Sequence, residues 1–65
     1  MEYKKDNIVF YVGKFTNCHN KEYRVTKRMG TYYDIESTKT YDIFEHVYSV
    51  INSVHRDDLI FIREK

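Results

Sequence analysis

Cys18-His19 is the one place in this 65-residue chain where a thiol stands beside an imidazole, the pair of groups that thiol nucleophiles use. A thiolate attacks only when a base within hydrogen-bond reach takes its proton. Adjacent residues on an extended segment point their side chains apart, so the plainer reading is a loop cysteine next to a solvated histidine. The other imidazoles, His46 and His55, are nine residues apart. At about 100° per residue they would face nearly opposite sides of a helix, where they cannot share a metal. One cysteine excludes an internal disulfide, and three histidines without zinc-finger spacing give no structural metal site. Carboxylates recur at Asp34, Glu36, Asp42, Glu45 and Asp57-Asp58, groups that can bind magnesium or serve as acid and base. They lack an Asp-rich loop with glycine at its turn, and they read as helix-start and loop charges. With two glycines in total the chain has little from which to build a phosphate loop or nucleotide fingerprint, and no serine elbow is present. The expectation is a protein that is not an enzyme, with no catalytic residue, no cofactor and no metal.

The elements that must position any binding residues follow from periodicity. Asn7 to Phe15 is rich in β-branched and aromatic residues on both faces, which predicts a strand. Thr16 to Asn20 is a polar turn cluster, and Glu22 to Lys27 then alternates apolar and polar, the second arm of a hairpin. Gly30 accepts positive φ and turns the chain into a third strand, Thr31 to Ile35. From Thr40 the period changes to 3.6: Phe44, Val47, Tyr48, Ile51 and Val54 share one face, with Ser37, Thr38 or Thr40 as N-cap and Asp42 and Glu45 near the positive dipole end. This predicts an amphipathic helix. Leu59 to Ile62 reads as a last short strand.

The expected fold is therefore α+β, β-β-β-α-β, with one four-stranded mixed sheet in the order 4-1-2-3 and a single helix on one face. Residues 1–65 form one small domain, since a chain this short holds one core. Phe10, Val25, Tyr33, Phe44, Val47, Ile51 and one side of Leu59 to Ile62 are the expected core. One helix covers one face, which would leave an apolar patch around Val9, Tyr11, Phe15, Arg24, Thr26, Tyr32 and either Leu59/Phe61 or Ile60/Ile62 for a second copy or another partner to bury. A homodimer or an obligate partner is thus expected.

Charge is uneven along the chain. Residues 14–28 hold five cations and one anion, a net +4, whereas residues 34–45 hold four anions and one cation, a net −3. Lysine and arginine interleaved with tyrosine can pair phosphates and stack bases, but the same side chains are those most enriched in protein interfaces. Tyr11, Lys14, Arg24, Lys27, Arg28 and Tyr32 are the candidate partner-binding residues.

Composition narrows the class further. Eleven basic against ten acidic residues is too balanced for a general nucleic-acid coat, and 42% hydrophobic content with 17% aromatic is too apolar for disorder. The longest early apolar run, Ile8 to Val12, is far shorter than a signal or membrane segment. No Ala, Pro, Trp or Gln occurs while Lys, Asn, Ile, Tyr and Phe abound, which fits an AT-rich genome. In size, composition and tyrosine-rich charged surface the chain resembles the small phage- or mobile-element-encoded inhibitors, anti-CRISPR proteins among them. The resemblance is one of type and carries over no residue. It implies a non-enzymatic interaction protein in the cytoplasm of a bacterial host, with no membrane association, whose partner is a bacterial nucleic-acid enzyme. The alternative is a small nucleic-acid-binding regulatory protein acting through the basic Lys14–Arg28 hairpin.

Overall fold

Alternating β-branched and aromatic residues make most of this chain extended. The structure, a computed structural model, describes residues 2–65. Five strands follow one another: β1 (Ile8–Tyr11), β2 (Glu22–Met29), β3 (Tyr32–Ser37), β4 (Val50–His55) and β5 (Leu59–Arg63). They form one antiparallel sheet in the order β4-β3-β2-β1-β5. Between them lie single 3₁₀ turns at Thr16–Cys18, Ile43–Glu45 and Arg56–Asp58, and there is no α-helix among the described residues. The β2–β3 loop is the tight one. Met29 pairs with Tyr32 across Gly30-Thr31, and Gly30 takes the φ of 66° that a two-residue hairpin of this kind asks of its first residue.

The expected α+β fold, with a four-stranded mixed sheet in the order 4-1-2-3 and one helix, is thus corrected to an all-β, five-stranded antiparallel sheet. The helix read over residues 40–55 is a long loop followed by β4. The cause is a β-bulge. Ile35 pairs with Ile51 and Tyr33 with Val54, so Asp34 alone faces two residues, Asn52 and Ser53. Ser53 takes a left-handed φ of 56°, and its N–H donates to the Asp34 carboxylate at 3.0 Å. One extra residue in the strand puts Ile51 and Val54 on the same face at a spacing of three, which imitates a helix. Opposite it, β2 also carries an extra residue: Val25 pairs with Ile35 and Lys27 with Asp34, and the Thr26 hydroxyl donates to the Asp34 carbonyl at 3.2 Å.

These bulges bend the sheet across β2, β3 and β4, so one face closes on itself. The core is Tyr3, Val9, Tyr11, Cys18, Tyr23, Val25, Tyr33, Ile35, Ile51, Val54 and Leu59, with Phe15 and Val47 packed at its margin. Val25, Tyr33, Ile51 and Leu59 lie where the sequence placed them. Phe44 does not: it is 84% exposed, and Phe10 and Val47 are only half-buried. Of the apolar patch expected on an uncovered sheet face, Val9 and Tyr11 are instead buried inside the curl, while Tyr32, Ile60 and Phe61 remain exposed.

Four of the core side chains are tyrosines, whose hydroxyls must find partners. The Tyr3 hydroxyl donates to the Leu59 carbonyl at 3.0 Å, Tyr33 accepts from the Tyr3 N–H at 2.9 Å, and Tyr23 donates to the Tyr48 carbonyl at 2.8 Å. Tyr11 accepts from the Phe15 N–H at 3.3 Å, and its ring lies so close to Gly13 that a methyl group there would collide with it. Burial pushes the Tyr23 phenol, and to a lesser degree that of Tyr3, above the usual tyrosine range.

The corrected placement has a mutational signature. Ile35→Ala removes a fully enclosed side chain and should lower the unfolding free energy by about 2–5 kcal/mol. Phe44→Ala should change it by no more than about 0.5 kcal/mol. Urea unfolding measures both, and a loss of several kcal/mol from Phe44→Ala would contradict this fold.

Candidate functional site

Between β3 and β4 the chain makes a loop that is fixed at both ends and turned outward in the middle. The Thr38 N–H donates to the Glu22 carbonyl at 3.2 Å, and the Lys21 ammonium lies 5.7 Å from the centre of the Tyr41 ring. At the other end Val47 packs on the core, and the Tyr48 ring meets Phe15 edge-on at 4.8 Å. The middle is a single 3₁₀ turn, Ile43–Glu45, closed by a capping box. The Asp42 carboxylate accepts from the Phe44 N–H at 3.2 Å, and the Glu45 carboxylate accepts from the Asp42 N–H at 3.0 Å. His46 then adopts φ 55°, ψ 33°, which stops the turn after one round.

The consequence is an exposed apolar tip. Ile43 is 81% and Phe44 84% exposed, and both are held by backbone that is already hydrogen-bonded. Asp42 and Glu45 flank them, and no cation lies within 4.0 Å of either carboxylate among the described residues. Sequence periodicity hid this tip by assigning Phe44 to a helix core. The signal that could have revealed it is the Asp-x-x-Glu box followed by Ser, Asn and β-branched residues, which begins a helix and does not continue one.

The six candidate binding residues are dispersed. Tyr11 is buried in the core with 3% exposure, so it offers no side chain to a surface partner beyond the floor of a cleft. That cleft, of about 380 Å³, is lined by Tyr11, Lys14, Phe15, Tyr32, Ile51 to His55, and Asp58. Tyr11, Lys14 and Tyr32 therefore do converge, with the Tyr32 ring edge-on to His55 at 5.3 Å. Arg24, Lys27 and Arg28 do not line it. Arg24 bridges Asp6 at 2.6 Å and Glu36 at 3.2 Å, and Arg28 meets Glu2 at 2.7 Å. Much of the positive charge of the β2 hairpin is thereby matched by carboxylates from the N-terminal arm and from β3.

Cys18 is buried in the core, and the His19 Nε2 lies 2.6 Å from the Gly13 carbonyl, so neither side chain is aimed at the other as nucleophile and base. Among the described residues no three His, Cys, Asp or Glu side chains gather as a metal site. No helix among them is long and apolar enough to cross a membrane. Comparison of the chain with protein-family models, with curated proteins and with solved structures finds no match.

The ion pairs set the acid limb of stability. The Arg24 guanidinium holds the Asp6 carboxyl below its usual range, and Arg63 does the same for Glu22. Groups whose folded pKa is depressed contribute stability that is present above about pH 4, and it is lost as pH falls through the folded values. Arg24→Gln should therefore make the melting temperature fall less steeply below about pH 4 than in the parent chain. Calorimetry across that range decides it, and equal slopes would show that the Arg24 pair is not formed.

Proposed function

We propose that this chain is a non-enzymatic protein-binding module that presents the Ile43–Phe44 tip to a recess on another protein. The observation that carries the reading is the pair of large apolar side chains held almost wholly in water by a capped, pre-formed turn. Exposing them serves no packing purpose within the chain. An aromatic side chain in the centre of an interface, on a backbone that needs no further ordering, is how a small surface gains affinity.

Charge specifies the recess. Asp42 and Glu45 frame the tip with no cation within 4.0 Å among the described residues, so the complementary site is basic at its rim and apolar at its centre. Channels that hold nucleic acid have that character, because they carry Lys and Arg for phosphates and flat apolar surfaces for bases. The favoured partner is accordingly a bacterial nucleic-acid enzyme, blocked by occupation of its channel in the cytoplasm. The pairing of Arg24 and Arg28 with carboxylates speaks against the basic hairpin as the main contact.

Capture from nuclease-treated lysate of a low-GC bacterium tests this with matched variants. Ile43→Ser with Phe44→Ser should abolish capture of a specific protein, while Lys27→Ala with Arg28→Ala should preserve it. Capture that survives the tip substitutions, or that needs intact nucleic acid and is lost in the Lys27/Arg28 variant, would overturn the reading.

A further inference from the structure

The cleft between the β1–β2 loop and β4 holds polar groups that the chain does not use for itself. Tyr11, Ile51 and Val54, all buried, form its floor. The Tyr11 hydroxyl accepts from the Phe15 N–H at 3.3 Å, and among the described residues its own proton has no acceptor. On the wall, the His55 Nδ1 accepts from the Asp57 N–H at 3.1 Å, so the ring proton sits on Nε2 as a donor. The β4 bulge, with Ser53 at its left-handed φ of 56°, brings Asn52 and Ser53 to the cleft together, where an unbroken strand would turn one of them away.

The charges of the cleft are balanced and unspent. Among the residues that line it Lys14 is the one cation and Asp58 the one carboxylate, and neither has an opposite charge within 4.0 Å among the described residues. Arg56 and Asp57 lie between His55 and Asp58 in the chain, but they pair with each other at 3.9 Å and do not line the cleft. The Lys14 ammonium stands 5.2 Å from the centre of the Phe15 ring. Tyr32 is 47% exposed and so offers ring surface on which a flat ligand can stack. A volume of about 380 Å³ is that of a small-ligand site.

We propose that this cleft binds a guanine base, independently of the protein contact made by the Ile43–Phe44 tip. One ammonium, one carboxylate and several neutral donors around an aromatic ring select a flat, uncharged ligand that is itself divided into a donor side and an acceptor side. Guanine is divided in that way. Its N1–H and N2–H₂ are adjacent donors that match the two oxygens of Asp58, while O6 and N7 are adjacent acceptors for Lys14 and for the Tyr11 O–H or His55 Nε2–H. Adenine and the pyrimidines lack two adjacent donors, and each would turn a lone pair towards the carboxylate. Stacking on Tyr32 supplies attraction common to all bases, so the choice among them falls to Asp58 and Lys14. A phosphate alone is not selected, because Asp58 repels it. A free guanine nucleotide and an unstacked guanine in a single strand present the same edges.

Amide chemical shifts followed by nuclear magnetic resonance during titration with guanosine monophosphate test this. Saturable shifts should centre on Lys14, Ser53 and His55, a readout from the unsubstituted chain that stands even if a variant fails to fold. Adenosine and inosine monophosphates carry the same phosphate and should bind at least about tenfold more weakly, since each leaves Asp58 short of a donor. Asp58→Asn should remove the preference for guanine over adenine, and Ile43→Ser with Phe44→Ser should leave binding unchanged. A thymidine pentamer with one central guanine assigns the source: tighter binding than the mononucleotide places the base in a single strand, and equal or weaker binding places it on a free nucleotide. The same shifts with inorganic phosphate alone, equal binding of the adenine nucleotide, a preference that survives Asp58→Asn, or no saturable shift up to about 10 mM would overturn the proposal.

Discussion

Three residues, Arg56–Asp58, carry the chain from β4 at one edge of the sheet to β5 at the other. In a flat antiparallel sheet of this order the two edge strands would run in the same direction, about 19 Å apart across four spacings. The start of β5 would also lie at the far end from the finish of β4, a journey for which a flat parallel arrangement needs a dozen or more residues. A link of three cannot make it, since four Cα steps span at most about 14 Å. The sheet must coil until its edges approach. The link is fastened once it arrives: the Arg56 N–H donates to the Thr31 carbonyl at 2.9 Å, and the Asp58 carbonyl accepts from the Val12 N–H at 2.8 Å. The His55 imidazole caps the turn by accepting from the Asp57 N–H at 3.1 Å.

Coiling needs strands that bend, and Asp34 is where the bends meet. Its carbonyl takes the Thr26 hydroxyl beside the β2 bulge, and its carboxylate takes the Ser53 N–H inside the β4 bulge. A sheet folded over on one face can fill its interior with tyrosines, because each ring crosses the curl and reaches backbone on another segment. No helix is required to cover that face, and a chain with a single cysteine, which can close no internal disulfide, thereby obtains a closed core at this small size.

The same constraint decides what was legible in the sequence. Strands with unbroken alternation, such as Tyr23-Arg24-Val25, declared themselves, and so did the turn at Gly30. That the first strand lies beside the last could be read from their apolar character, but not that they pair antiparallel, since the assumed helical crossover made them parallel neighbours in a mixed sheet. β4 could not be read, because its bulge converts a period of two into a spacing of three between Ile51 and Val54, and the capping box at Asp42 and Glu45 supplied a true helix-start signal for a turn that ends at His46. Once a helix was assumed, Phe44 became core, and an open sheet face followed as a false consequence. The charged residues were easier to find than to interpret. Arg24 and Arg28 stand out in the sequence as a basic pair, and only the fold shows Asp6, Glu36 and Glu2 beside them.

The proposed contact descends from the coil: the β3–β4 loop is thrown outward with Ile43 and Phe44 at its crest. The claim on which everything rests is that residues 50–55 form this strand, paired to β3 in the stated register. Proton–proton Overhauser contacts in solution test it most directly. The account predicts a close Hα–Hα contact between Glu36 and Val50, together with one between Tyr11 and Leu59, as non-hydrogen-bonded antiparallel pairs require. A run of i to i+3 contacts from Phe44 to Val54, with neither cross-strand contact present, would contradict it.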